Sequence, residues 1–230
     1  SSGQQYQELI MYMVIAISYA LVPLILIMKL VKKIQIDDCI CQSKIKNHSV
    51  IRDKILFEID KCDDDSLSDV DSDYTNRISK LDWNKSLDPS RPWVKIFLPE
   101  FYEDLKEVLG SLGYAKSVIH NLWYQQYLEG DTHGWHIHGS HFTGVYYLEF
   151  PDGCSQTEVV SPYSFKVKKI DVVEGDFVVF PAHYIHRGLP NSEKRKTIIS
   201  YNFILDGIPG QSLDIDKIKK VNPNIWNPQN

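Results

Sequence analysis

Six of the eight histidines in this 230-residue chain fall between His133 and His186: His133, His136, His138, His141, His183 and His186. Neutral imidazole is a ligand for borderline first-row metals such as Fe, Zn or Ni. His136 and His138 stand in GWHIHG. On an extended strand, residues i and i+2 point the same way, so both rings can face one interior. His186, in FPAHYIHRGLP, comes fifty residues later, just past the strand-like run GDFVVFP. Two ligands from one strand end and a third from a distant strand would cover one face of a metal, leaving the other open for substrate or water. An isolated H-x-H is a weak signal. The pair with a third histidine in a strand-rich segment points to a metal site.

Arg195 heads the run RKTIISYNF, nine residues after His186. If that run is a core strand, Arg195, Thr197, Ile199 and Tyr201 share its inner face. An arginine inside a barrel is costly unless an anion pairs with it, and its planar guanidinium grips a carboxylate with two hydrogen bonds. Tyr127 and Tyr147, on the runs flanking the H-x-H, would add hydroxyl donors. Such a set suits a small dicarboxylate held against iron. The bland alternative is a surface arginine in the polar stretch NSEKRK.

The elements that must position these groups are short, β-branched and aromatic: SVIHNLWYQQYLEG, HFTGVYYLEF, SFKVKKIDVV, GDFVVFP and KTIISYNFIL, parted by Gly, Pro, Asp and Asn turns. Their spacing predicts an antiparallel sandwich or small barrel with helices outside it. Ahead of them, Ile51, Ile55 and Ile59 mark one face of a helix from Asn47 or Ser49 through Cys62, and Leu105, Val108 and Leu112 mark a second from Phe101 to Leu112. Residues 30–38 read as a strand. Between Glu58 and Asp73 lie eight acids and one lysine. Asp69, Asp71 and Asp73 resemble the start of a calcium loop, but Tyr74 follows where glycine is needed and Lys80 stands where the closing glutamate belongs, so a solvated acidic loop is expected.

Composition narrows the rest. There are 25 Lys+Arg against 30 Asp+Glu, a net charge of −5, with 43% hydrophobic residues. That excludes a disordered chain and gives no basic footprint for nucleic acid. Cys39, Cys41, Cys62 and Cys154 are too scattered for a disulfide scaffold or a zinc site, which favours a reduced compartment. Leu9 to Met28 is twenty residues without a charge, followed by Lys29, Lys32 and Lys33. As a helix it is long enough to cross a bilayer, and lysines on its C-terminal flank would leave the remainder facing the cytoplasm. An extension outside the native chain, with Met28 as the natural start, and a buried helix are the other readings. The organisation expected is thus a hydrophobic segment (1–29), a region of strand, helices and acidic loop (30–116), the strand-rich core (117–206) and a tail (207–230).

NLWYQQYLEGDTHGWHIHGSHFTGVYYLEFP followed by EGDFVVFPAHYIHRGLPNSEKRKTIISYNF resembles the core of the Fe(II)- and 2-oxoglutarate-dependent oxygenases, over about Asn121 to Phe203. Within that superfamily it is similar to a bacterial and marine-phage group carrying H-x-H, then SGVYYL, FP…H and R…S-x-N. The resemblance implies a mainly β fold with flanking helices around a double-stranded β-helix (jelly-roll, cupin-like) core. It implies Fe(II) held by His136, His138 and His186, and 2-oxoglutarate held by Arg195, Tyr147 and Tyr127. The activity implied is O₂-dependent hydroxylation of a C–H bond of an unidentified small molecule or side chain, with release of succinate and CO₂. Most of the superfamily has Asp or Glu where His138 stands; His133, His141 and Asp131 are the substitutes at hand. Trp123, Trp135 and His183 are candidates for the substrate side. A three-histidine cupin-like metalloenzyme without 2-oxoglutarate, and a barrel binding metal or ligand without turnover, are the alternatives.

Overall fold

The structure, a computed structural model, describes residues 40–71, 74–112, 114 and 117–205. The apolar run 9–28, the strand expected at 30–38 and the tail from Gly207 lie outside them. Among the described residues no helix is long and apolar enough to cross a membrane.

Among the described residues eleven strands form two antiparallel sheets. The larger joins β1 (Cys41–Lys44), β9 (Asp176–Pro181), β6 (Phe142–Glu149), β11 (Lys196–Leu205), β4 (Ser117–Tyr127), β3 (Tyr74–Leu81) and β2 (Asp65–Asp71), in that order. The smaller joins β5 (His133–His136), β10 (Ile185–Gly188), β7 (Thr157–Val160) and β8 (Val167–Lys169). This is the mainly β, helix-flanked architecture expected, and all five β-patterned runs contribute strands.

Strand alternation divides the side chains of the large sheet between two cores. On one face Leu122, Tyr124, Tyr146, Leu148, Phe177, Ile199, Tyr201 and Phe203 pack under helices α1 (His48–Asp60) and α2 (Pro92–Ser111). On the other, Tyr127, Val145, Tyr147, Val178, Phe180 and Ile198 meet Val159 of the small sheet. The chamber lined by His136, His138 and His186 lies on this second face.

Two expectations need correction. The acidic segment is not a solvated loop: Asp65–Asp71 pairs with Tyr74–Leu81 as a hairpin. Cross-strand partners Leu67 and Ile78 supply the apolar contact that holds it down. The second helix starts nine residues before Phe101. Pro92 takes the first helical position, where a missing N–H is harmless, and Trp93, Val94, Phe97 and Phe101 extend the buried stripe. Pro99 is tolerated inside because it sits on the exposed side, where water reaches the carbonyl it leaves unpaired.

Gly144 on β6 marks a close approach of backbones. A Cβ there would lie 2.0 Å from the Val178 carbonyl oxygen and 2.5 Å from the Tyr201 hydroxyl, which itself donates to that carbonyl (2.7 Å). Neither the sheet backbone nor a fully buried tyrosine can step aside. Gly144→Ala is expected to destabilise the fold by at least about 3 kcal/mol, read as a lower urea midpoint with unchanged m-value. A midpoint within error of the parent would refute that packing.

Candidate metal and cosubstrate site

His136 ends β5 and pairs in register with His186 on β10. The extended chain continues past His136, and the His138 N–H donates to the Ala182 carbonyl in the β9–β10 turn (3.0 Å). His138 thus lies past the end of the strand, and one ligand-capable nitrogen from each of His136, His138 and His186 lies within 4.8 Å of the others. Nδ1 of His136 donates to the Gly134 carbonyl (2.7 Å) and Nδ1 of His186 to that of Tyr184 (2.9 Å). Carbonyls only accept, so both rings carry their proton on Nδ1 and present a bare Nε2 lone pair. Nε2 of His138 and Nε2 of His186 are 3.1 Å apart. Two nitrogens each about 2.1 Å from one ion, at right angles, stand about 3 Å apart. The donor set fits a divalent first-row metal.

Burial keeps these rings neutral, reinforced at His133, His138 and His186 by the neighbouring imidazoles. It pushes His133 down to about 3 and His138 to about 4, and it lowers His136 and His186 as well. Neutral imidazole is the ligating form.

The substitutes considered for the second ligand separate cleanly. Asp131 is fully engaged, accepting from Arg77 Nε (2.7 Å), the Ser79 N–H (3.0 Å) and the Leu128 N–H (2.9 Å). His141 is exposed and accepts from the Leu205 N–H (3.1 Å). His133 stacks on the His136 ring at 3.8 Å and borders the cluster without joining it. Trp123 is buried and faces the cluster, its ring 5.7 Å from that of His138. Trp135 instead stacks under Arg187, and exposed His183 lies beside Tyr163.

Behind the histidines a narrow inner chamber is lined by Tyr127, Tyr147, Thr157, Lys196 and Ser200. Both tyrosines singled out in the sequence line this chamber, with the Tyr147 hydroxyl donating to Thr157 Oγ1 (2.8 Å). Arg195 does not. Its guanidinium turns outward and clamps Glu149 (2.8 and 3.1 Å) and Asp60 (3.0 Å). The parity was off by one: Thr197, Ile199 and Tyr201 face the helices, whereas Lys196, Ile198 and Ser200 face the chamber. Lys196 is the cation of this strand that faces the chamber; Arg187, which also lines it, is held by Glu158 (2.8 Å). Lys196 is 3% exposed, donates to the Ser155 carbonyl (3.0 Å) and lies 4.3 Å over the Tyr127 ring, with no carboxylate of the described residues in ion-pair contact. The S-x-N of Ser200 and Asn202 carried the missed signal, because those polar residues share parity with Lys196.

On the opposite side of the histidines opens a second cavity of about 470 Å³, bounded by Trp83, Trp123, His120, Ile137 and Asn202. The cluster thus sits between an inner chamber ending in a buried cation and an outer cavity open to solvent.

The fold recurs in solved structures. The fold is that of the Fe(II)- and 2-oxoglutarate-dependent oxygenases. A 2OG-Fe(II) oxygenase-family oxidoreductase from Burkholderia pseudomallei is similar at TM-score 0.53 and 13% identity, over 66% of this chain and 77% of that one. A Pseudomonas putida prolyl-4-hydroxylase gives 0.53 and 14%, over 74% and 94%. SnoN, a non-heme alpha-ketoglutarate-dependent epimerase from nogalamycin biosynthesis, gives 0.55 and 12%, over 77% and 87%. No family model matches the sequence, and no curated protein does.

Proposed function

We propose that the chain is an Fe(II)- and 2-oxoglutarate-dependent dioxygenase that hydroxylates a C–H bond, consuming O₂ and 2-oxoglutarate and releasing succinate and CO₂. The observation that carries this reading is the pairing of three convergent imidazoles with a buried, carboxylate-free lysine across one chamber. His136, His138 and His186 would hold the iron, which supplies the redox chemistry that activates O₂. Lys196, in place of Arg195, would take the distal carboxylate of 2-oxoglutarate, with Tyr127 and Tyr147 shaping the chamber. The chamber is small, about 30 Å³, so admitting a five-carbon diacid requires its lining to move, beginning with the Lys196–Ser155 hydrogen bond. The packed walls exclude bulk water, which strengthens every charge interaction inside.

The test is anaerobic reconstitution with Fe(II), admission of O₂, and measurement of succinate. Succinate formed from 2-oxoglutarate supports the assignment; neither succinate nor 2-oxoglutarate binding would remove it. One observation favours a second reading, a three-histidine cupin-like enzyme without 2-oxoglutarate: the ligand set contains no carboxylate. A third neutral ligand leaves the site one unit more positive than a two-histidine, one-carboxylate set. Iron binding without any 2-oxoglutarate binding would select it.

The lysine also sets a pH dependence. Burial lowers its pKa to about 8 from an ordinary value near 10.4. Between those values the unfolded chain holds a proton that the folded one has released, so the free protein gains stability as pH rises from about 8 to 10.4. A bound carboxylate restores the ammonium, so binding takes up a proton above pH 8. Affinity for 2-oxoglutarate is expected to fall towards tenfold per unit above about pH 8. Titrations at pH 7, 8 and 9 check this; a flat profile would show that Lys196 does not meet the ligand.

A further inference from the structure

Asn202 lies on β11 two residues beyond Ser200, and its side chain borders the outer cavity together with His138. The residue is 4% exposed, yet its Oδ1 has no hydrogen-bond partner, alone among the buried side-chain polar atoms of the described residues. Its polar neighbours are all engaged. Ser200 Oγ donates to Gln125 Oε1 (3.1 Å), Asn121 Nδ2 donates to Ser86 Oγ (3.1 Å), and His120 Nε2 meets Ser140 Oγ (2.9 Å). A buried acceptor without a donor destabilises a free protein, and natural folds keep such atoms mainly where something else satisfies them.

The cavity also restricts what that something is. Among the described residues lining it there is no Asp, Glu, Lys or Arg. Trp83 and Trp123 meet edge to face at 4.6 Å on its wall, with Leu67, Ile78 and Ile137 beside them. An ionised group brought here would lose water and find no counter-charge among these side chains.

We propose that the outer cavity takes an uncharged substrate, its apolar body against the Trp83–Trp123 wall, and that the Asn202 amide turns towards it so that Oδ1 accepts an N–H or O–H. The proposal rests on the histidine cluster being the reaction centre. Asn202 would then be the specificity-determining residue, holding the substrate beside the metal. A site with a buried polar group rejects analogues that cannot pair with it far more strongly than an apolar pocket rejects a misfit.

Three probes share one apolar body and differ in charge: N-acetylleucinamide (neutral), N-acetylleucine (anionic) and leucinamide (cationic). Full-length chain loaded with Zn(II) and 2-oxoglutarate, which cannot turn over, is titrated with each by calorimetry. Metal content and 2-oxoglutarate binding are measured first, so a failure of the reaction-centre reading is seen separately. The neutral probe is expected to bind at least about tenfold more tightly than either charged one. Asn202→Leu, close in volume and without the acceptor, is expected to weaken it by at least about tenfold, with 2-oxoglutarate affinity unchanged and Tm equal to or above the parent's. Asn202→Ser, which keeps a polar group but cannot reach as far, is expected to lose affinity too and serves if the leucine variant does not fold. Equal binding of charged probes, no binding of the neutral probe at millimolar concentration, or parental affinity in the variants would overturn the proposal. A lower Tm for Asn202→Leu would equally overturn it, by making Asn202 a structural residue.

Discussion

Lys196→Ala is expected to weaken 2-oxoglutarate binding by roughly thirtyfold to several thousandfold, corresponding to about 2–5 kcal/mol for a buried carboxylate deprived of its charged partner. Iron affinity should persist, because the three histidines are untouched. The readout is the metal-to-ligand charge-transfer absorbance of anaerobic Fe(II) protein as 2-oxoglutarate is added. Arg195→Ala is the matched control. It breaks a half-exposed clamp on Glu149 and Asp60 and should cost about 1 kcal/mol of stability while leaving the titration intact. If Arg195→Ala lost the cosubstrate and Lys196→Ala kept it, the outward arginine would have to swing inward on binding and the assignment would reverse.

His186→Ala is expected to reduce affinity for Fe(II), or for Zn(II) as a redox-inert stand-in, by at least about a hundredfold. Removing even an outer partner of a ligand costs tenfold to a hundredfold, and His186 supplies a ligand directly. His186 is 5% exposed, so a thermal melt of the metal-free variant must accompany the titration to exclude loss of the fold. His138→Asp asks a different question. It puts a carboxylate in place of one imidazole and cancels one unit of the site's positive charge, so iron should bind at least as tightly as in the parent. Retention of parental affinity in His186→Ala would disqualify the cluster as the metal site.

Much of this fold is legible in the sequence. Alternating apolar and polar residues in KTIISYNFIL or HFTGVYYLEF, cut by turn residues, specify strands because one face of each must be buried. The H-x-H was legible because a period of two needs no knowledge of the neighbouring strand. Arg195 was misplaced for the complementary reason. Two adjacent cations, Arg195 and Lys196, open one strand, and a shift of one residue exchanges the core face for the outer face. The polar Ser200 and Asn202 share parity with Lys196, and the partner surfaces decide: Tyr201 fits beneath Gly144 on the helix side. The acidic hairpin was hidden because Leu67 and Ile78 are too far apart in sequence to reveal that they pair. The early start of α2 was masked by Pro99, which reads as a breaker unless its exposed position is known. Asn202 had no signal of its own, since an unpaired atom is defined by its surroundings.

The register that sets His136 opposite His186 has a mechanical side as well. Between those residues the chain runs through β6, β7, β8 and β9. An ion shared by His136, His138 and His186 closes that fifty-residue excursion into a ring, fastening two strands of the small sheet at the end where they meet the β9–β10 turn. Because the ring exists only in the folded chain, each increment of metal occupancy is also an increment of resistance to unfolding, growing as the logarithm of free metal over its dissociation constant. Iron supply and the lifetime of the folded chain would then rise and fall together.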